Sequence, residues 1–168
     1  MTETTREEAL NIIISAAHGW ETTLTVHDLH PKFFKDRKFV LEAVKRNGSA
    51  IGFFGEFSKD RKIVLAAVKS NGWALKYVDD SFKKDRKIVL SAVQSELADG
   101  GPLDHADDSL YKDREIILAS AKHYVHALDH ADVSLKKDRE IVMASIKHDA
   151  NALEYADDSC KKDREIVM

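Results

Sequence analysis

Histidines in the second half of the chain have spacings that suit metal coordination. His123, His126 and His130 are separated by three and four residues, with His105 before them and His148 after them. Residues four apart share one face of a helix, so His126 and His130 could bind a transition metal together. Such a site is convincing only with a four-ligand geometry, which the sequence does not establish. A metal-dependent enzyme at His123, His126 and His130 is therefore the less favoured alternative.

Pairs of adjacent aspartates form a second group with catalytic potential, because neighbouring carboxyl groups can act as general acid and base. The pairs recur along the chain as Asp79-Asp80, Asp107-Asp108 and Asp157-Asp158. A catalytic site is not normally copied into every repeat, so we interpret these pairs as caps of a turn. We expect them to meet arginines that begin following helices, namely Arg86, Arg114 and Arg139.

Other catalytic motifs are missing from the sequence, which contains no phosphate loop, no Rossmann glycine pattern and no His-Glu-x-x-His. The single cysteine, Cys160, excludes an intramolecular disulfide. It takes the position of Phe82, Leu110 and Leu135 in other repeats, so we expect a buried structural thiol. We predict that the protein is not an enzyme and has no catalytic residue, no cofactor and no metal ion.

The segments that carry these residues repeat along the chain. The tripeptide Lys-Asp-Arg begins at residues 35, 59, 84, 112, 137 and 162. A fixed period of this length is typical of a repeat array. We predict one domain, 1–168, because no linker interrupts the period. It comprises a degenerate capping unit at 5–35, repeats at 36–59, 60–84, 85–112, 113–137 and 138–162, and a truncated unit at 163–168.

The third unit, 60–84, illustrates how a repeat is expected to fold. Asp60 caps the backbone N–H groups of a helix, which stabilises it by about 1 kcal/mol. The apolar residues that follow form a stripe wide enough to predict a long helix buried between neighbours. Asn71-Gly72 predicts a left-handed residue that ends this helix, and a shorter helix and a tight turn follow. One unit cannot bury these faces by itself, so it requires adjacent units.

Several units depart from this scheme. The fifth and sixth units carry Tyr124-Val125 and Asp149-Ala150 where Asn-Gly is expected, so their long helices are predicted to end differently. The fourth unit has three extra residues around Asp99-Gly100-Gly101-Pro102. Phe54 in the second unit replaces a Val or Ala, and we expect it to be displaced outward.

The repeat also offers a structural explanation for four of the histidines. His105 and His130 occupy the position of Tyr77 and Tyr155, which is an aromatic packing position at the end of the short helix. The remaining two, His123 and His148, replace serines at the end of the long helix, where a cation suits the helix dipole.

Composition is that of an ordinary globular protein: 168 residues, 43% hydrophobic, 33% charged, with a formal net charge of −3. The chain has no signal peptide and no membrane-spanning run, which predicts a cytoplasmic protein without membrane contact. Acidic and basic residues alternate in each turn. The acidic residues cancel much of the field of the Lys-Lys-Asp-Arg edge, so nucleic-acid binding there is the less favoured alternative.

The unit pattern DREIVLAAVK-x-NG-x-ALEYA resembles an uncharacterised α-helical repeat family of bacterial and protist proteins, known as a domain of unknown function. The third and sixth units match it best, and the resemblance covers most of 36–168. It implies an α-helical repeat fold, and it implies no activity, catalytic residue or cofactor.

We therefore predict an all-α fold, a right-handed α-solenoid of about six units of 25 residues, each with a long helix, a short helix and a tight turn. The expected function is a non-catalytic scaffold that binds another protein through variable residues between the two helices. The uncapped C-terminal end at Met168 predicts either a longer array or self-association. The residues expected to bind the partner are Arg46, Trp73, His123, Tyr124, His126, His148 and Asn151.

Overall fold

Long helices recur along the chain in the computed structural model, which describes residues 4–19, 25–95, 101–124, 126–163 and 165. Every regular element in these ranges is helical. We name the long helices α1 to α6, and each packs on the next in chain order. Their bounds are Arg6–Ala17 (α1), Arg37–Arg46 (α2), Arg61–Ser70 (α3), Arg86–Val93 (α4), Arg114–Ala121 (α5) and Arg139–His148 (α6).

Short helices separate the long ones in two groups. Those that follow the long helix of units two to six are Gly48–Phe53, Gly72–Tyr77, Pro102–His105, Ala127–His130 and Ala150–Tyr155. Those in the turns are Lys32–Lys35, Gly55–Lys59, Asp80–Lys83, Asp108–Leu110 and Asp158–Lys161, and a further one lies at Val26–Asp28. Four of the five in the first group are 3₁₀ helices. The sequence predicted where these short helices lie, but it did not predict that they are 3₁₀ helices.

A capping aspartate begins each long helix from α2 onward, as predicted. In α3 one carboxylate oxygen of Asp60 accepts hydrogen bonds from the backbone N–H groups of Lys62 and Ile63, at 3.0 and 3.2 Å. The same two bonds recur at the start of every following long helix. Helix α1 begins instead with the predicted capping box of Thr5 and Glu8, and Gly19 after it has a φ of +76°.

From Asp60 onward, the second carboxylate oxygen of the capping aspartate binds an arginine of the preceding unit. Arg37 Nε lies 2.7 Å from Asp60 Oδ2, and Arg114 Nε lies 2.7 Å from Asp138 Oδ2. We call this row the Arg–Asp ladder, and it comprises Arg37–Asp60, Arg61–Asp85, Arg86–Asp113, Arg114–Asp138 and Arg139–Asp163. Our expectation that Arg86, Arg114 and Arg139 meet the paired aspartates is therefore wrong. The arginines reach the next unit's capping residue instead.

The paired aspartates have a different partner. The first of each pair caps its own turn: Asp79 Oδ1 accepts from the N–H of Ser81 at 3.1 Å. Its backbone N–H donates to the carbonyl oxygen of Ser58 in the preceding unit at 3.2 Å, and Lys59 Nζ lies 3.5 Å from its other carboxylate oxygen. The interpretation as turn caps is confirmed, and each cap also joins two units.

Gly48 and Gly72 allow adjacent units to approach closely, and they do not end helices by left-handed geometry. The only positive φ values in the described residues are at Gly19 and Gly101, so the expectation for Asn71-Gly72 is wrong. A Cβ built on Gly48 would lie 2.8 Å from the backbone nitrogen of Asn71 and closer still to the carbonyl oxygen of Ala67. No side chain fits between these backbones.

The fifth and sixth units, which lack Asn-Gly, behave differently from each other. Helix α6 ends at His148 and Asp149 replaces the asparagine, with its side chain accepting from the N–H of Asn151 at 2.9 Å. This end is therefore the same as in the third unit. Helix α5 ends two residues earlier in its repeat, at Ala121, so the predicted difference holds only there. Val125 lies outside the described residues.

Buried apolar residues form one core along the stack of helices. In α3 the fully buried residues are Ile63, Val64, Ala67 and Val68, as the wide stripe predicts. Phe54 is only 2% exposed, so its predicted outward displacement is wrong. Its ring packs on the rings of Phe34 and Phe39, with centroids 5.8 and 6.3 Å apart.

Cys160 is buried, as predicted, and its equivalents Phe82, Leu110 and Leu135 are partly buried against the core. Two other expectations lie outside the described residues: most of the insertion in the fourth unit, at 96–100, and the C-terminal end at Met168. Among the described helices, none combines the length and apolar character that crossing a membrane requires.

Replacing Gly48 with alanine should destabilise the protein by about 1–3 kcal/mol, because the new methyl group forces two packed backbones apart. Gly55→Ala is the matched control, since nothing lies within 4 Å of a Cβ there. That control should be neutral or slightly stabilising. Urea unfolding followed by circular dichroism measures both, and equal midpoints for the two variants would contradict the close-approach argument.

The Asp85 carboxylate should stabilise the folded protein in two separable ways, as a helix cap and as the partner of Arg61 in the Arg–Asp ladder. Asp85→Ala removes both roles and should cost about 1–2 kcal/mol. Asp85→Asn keeps a capping oxygen and loses only the charged pair with Arg61, so it should cost about 1 kcal/mol or less. Urea unfolding distinguishes the variants, and an asparagine as costly as alanine would show that the cap contributes nothing.

The same pair makes stability dependent on pH. The Arg61 guanidinium, by hydrogen bonding, holds the pKa of Asp85 below its ordinary value. A lowered folded pKa gives stability that is present above about pH 4 and is lost as pH falls through the folded value. The stability difference between the wild type and Asp85→Asn should therefore shrink in acid.

Candidate functional site

Ring-bearing side chains occupy one position of every repeat, at the end of the short helix. We call them, with two rings from the start of the same helices, the aromatic ribbon. The ribbon consists of Phe53, Tyr77, His105, His130 and Tyr155 from the end position and Trp73 and His126 from the start position. This regular placement follows from the repeat, because the short helices of successive units contact one another.

Two ring contacts between units join equivalent positions of the repeat. The Trp73 ring lies 5.3 Å from the ring of His105 in the next unit, centroid to centroid. Two units later, His126 lies 6.5 Å from Tyr155 of the next unit. In both cases a ring at the start of one short helix contacts a ring at the end of the following one. The ribbon is therefore built by stacking the repeats.

Part of the ribbon is accessible to a partner. Phe53 is 37% exposed and Tyr77 is 43% exposed, and these are two of the four exposed large hydrophobic residues in the described part of the chain. His126 is exposed, and Trp73, His105, His130 and Tyr155 are half-buried. Such rings present large apolar area at low entropic cost, which favours a role in binding.

Asp104 organises the middle of the ribbon. The Tyr124 hydroxyl donates to its carboxylate, 2.7 Å from Oδ1, and His130 Nε2 lies 2.8 Å from the same oxygen. The Tyr124 and His130 rings stack with centroids 6.3 Å apart, and Tyr111 lies 5.2 Å from His130. This cluster joins the short helix of the fourth unit to the fifth unit.

Burial and the carboxylate together set the electrostatics of this cluster. Burial first, and then the hydrogen bond to Asp104, raises the pKa of Tyr124 well above its ordinary range. Burial also raises the pKa of Tyr111 and lowers the pKa of His105. His105 Nε2 is buried and has no hydrogen-bond partner in the described residues. Tyr124 is therefore a neutral hydrogen-bond donor to the carboxylate of Asp104.

The residues predicted to bind a partner do not all lie together. Trp73 and His126 belong to the ribbon, and the exposed Asn151 begins the next short helix. Tyr124 is 8% exposed and is held by Asp104, so the structure places it inside. Arg46 lies elsewhere, paired with Glu7 and Glu42 of the first two units.

His123 and His148 are exposed at the ends of α5 and α6, outside the ribbon. His148 lines a shallow depression of about 470 Å³ with Lys122, Ala144 and Lys147. Two lysines beside it disfavour a metal cation. His130 is held by Asp104, and within the described ranges no three His, Cys, Asp or Glu side chains gather as a metal site would require.

A family model for a domain of unknown function, DUF4116, matches the chain in four stretches that overlap in two pairs: residues 36–83 with 60–111, and 113–159 with 138–168. Together these stretches cover well over half of the sequence. The chain belongs to the DUF4116 family. The overlapping stretches agree with the repeated units seen in the structure. Neither a search of curated proteins nor a search of solved structures found a match.

Sequence reasoning missed two residues of this DUF4116 surface. Phe53 stands at the position of Tyr77, and alignment of the second unit with the third could have revealed it. Asp104 stands at the position of Lys76, but its role depends on the fold, because Tyr124 and His130 come from the next unit.

Replacing Tyr124 with phenylalanine should destabilise the protein by about 1 kcal/mol, because it removes a hydrogen bond to a carboxylate at a partly buried joint. Tyr77→Phe is the matched control, since Tyr77 lies at the exposed surface and should tolerate loss of its hydroxyl. Urea unfolding measures both. A Tyr124→Phe midpoint equal to wild type would show that the Asp104 cluster does not join the two units.

Proposed function

We propose that this DUF4116 protein is a non-catalytic helical-repeat scaffold that binds another protein along the aromatic ribbon. Its units form a right-handed α-solenoid of about six repeats within one domain. The DREIVLAAVK-x-NG-x-ALEYA pattern is the form of unit from which it is assembled. The single observation that carries this function is the exposure of Phe53 and Tyr77 at equivalent positions of adjacent units.

Rigidity of the surface supports the same function. The Arg–Asp ladder and the backbone bonds between turns fix each unit on the next. The ring contacts of Trp73 with His105 and of His126 with Tyr155 fix the ribbon. A partner that binds such a surface encounters side chains that are already ordered, so little entropy is lost on binding.

The alternative of nucleic-acid binding along the Lys-Lys-Asp-Arg edge has less support. Lys59 lies 3.5 Å from Asp79, and Lys84 lies 3.6 Å from Asp107. The ladder arginines face carboxylates as well. Much of the positive charge that phosphate binding needs is therefore balanced within the protein.

Affinity purification from native extract tests the proposal by comparing two double variants. Phe53→Ser with Tyr77→Ser removes the exposed rings of the ribbon. Val133→Ser with Met143→Ser is the matched control, because these residues are also exposed hydrophobics, 75% and 39% exposed, and lie outside the ribbon. Circular dichroism and thermal unfolding confirm that each variant is folded before it is used.

We expect quantitative mass spectrometry to show a protein that wild type and control retain and that the ribbon variant loses. The purified partner should then bind the ribbon variant at least about tenfold more weakly than wild type, since two aromatic anchors at an interface typically contribute that much. A partner lost by the control and kept by the ribbon variant would overturn the proposal. Salt-sensitive binding of labelled oligonucleotides, with no protein captured, would favour the nucleic-acid alternative.

A further inference from the structure

Carboxylates stand beside the rings in the C-terminal half of the ribbon. Asp129 directly precedes His130, and Glu154 directly precedes Tyr155. Asp129 is also three residues after His126, the residue that precedes its short helix, and Glu154 is three residues after Asn151 in the next short helix. Residues three apart lie on the same face of such helices. Each acid therefore shares a face with a predicted partner-binding residue.

These two carboxylates differ from most other acids of the repeat. The capping aspartates bind arginines of the ladder, and the turn aspartate Asp79 binds Ser81 and Lys59. Asp129 and Glu154 are exposed, and neither has an ion pair or side-chain hydrogen bond in the described part of the chain. Their charge is therefore available to a ligand.

The third unit shows what these rings can accept. Lys76 occupies the position that Asp129 and Glu154 take later, and its Nζ lies 5.7 Å from the centroid of the Tyr77 ring. This distance is typical of a cation–π contact. In the sixth unit the equivalent ring, Tyr155, has a glutamate beside it in place of the lysine. The sixth unit therefore supplies a ring and a negative charge, and a cation bound to them would come from a ligand.

We propose that units five and six of the ribbon bind lysine or arginine side chains of a basic segment of the partner protein. The inference rests on the proposed function and specifies the partner's chemistry. Carboxylates at Asp129 and Glu154 attract the cation, and the rings of His126 and Tyr155 contact it and its aliphatic stem.

The stacking distance of the units sets a spacing for the bound segment. Packed helices lie about 10 Å apart. A polyproline II segment has three residues per turn and advances about 3.1 Å per residue, so every third side chain lies on one face, about 9 Å from the last. Basic side chains at every third position of such a segment would therefore meet successive units of the ribbon.

Fluorescence anisotropy with three labelled 12-residue peptides tests this inference on the full chain. One peptide carries lysine at every third position, and the others carry glutamine or glutamate at the same positions. The protein variant Asp129→Asn with Glu154→Gln removes the proposed carboxylates. The control Asp80→Asn with Asp158→Asn removes the same charge from the turns, where these side chains are 89% and 81% exposed.

We expect the lysine peptide to bind wild type at least about tenfold more tightly than the glutamine peptide, and the glutamate peptide to bind most weakly. Loss of the two carboxylates should weaken the lysine peptide about tenfold, since each partly exposed charge contributes up to about 1 kcal/mol. It should leave the glutamine peptide unchanged. The turn control should bind the lysine peptide as wild type does.

Equal weakening by the turn control would overturn the inference, because it would show an effect of net charge only. Tighter binding of the glutamine or glutamate peptide, or no binding by any of the three, would also overturn it. The proposed function is judged separately by the loss of the captured partner from the Phe53→Ser, Tyr77→Ser variant. If the Phe53→Ser, Tyr77→Ser variant loses the captured partner but wild type prefers the glutamine or glutamate peptide, the proposed function stands and the inference about a basic ligand is wrong.

Discussion

The stack of repeats depends on the carboxylate of the capping aspartate, which binds two groups at once. From Asp60 onward, each capping aspartate uses one oxygen for the N–H groups that begin its own helix and the other for an arginine of the preceding unit. Helix initiation and unit docking are therefore coupled at one side chain. Local folding and assembly of the repeats reinforce each other, which is typical of arrays whose stability comes from neighbour contacts.

Close approach of backbones completes the joint at the other end of the long helix. Gly48 and Gly72 contact the carbonyl oxygens of Ala67 and Ala92 in the next unit. The N–H of Gly72 also donates to Ser95 Oγ at 2.8 Å. In α3 and α4 the ladder fixes the start of the long helix, and the glycine contact fixes its other end. The short helices between these joints then place the rings of the ribbon in a row.

Features that lie within one unit could be predicted from the sequence, and features that depend on the offset between units could not. The caps at Asp60 and the buried stripe of α3 follow from residue order alone. Our prediction of the acids that pair with the arginines was wrong, because several acids lie at similar distances along the chain. Only the stacking of the units determines which acid each arginine reaches. The glycines were misread for the same reason, since their contacts belong to the next unit. Phe54 replaces a residue that is itself buried, and only its contacts with Phe34 and Phe39 show that the core has room for it.

The ladder joint has a donor on one side of a unit and an acceptor on the other, and these two sides are not alike. Such a heterologous contact does not close on itself by two-fold symmetry. Units joined in this way add in a single direction, head to tail, so the joint does not limit their number. Duplication or deletion of a whole repeat would leave every remaining donor with an acceptor, which gives the protein a simple route to changes in length.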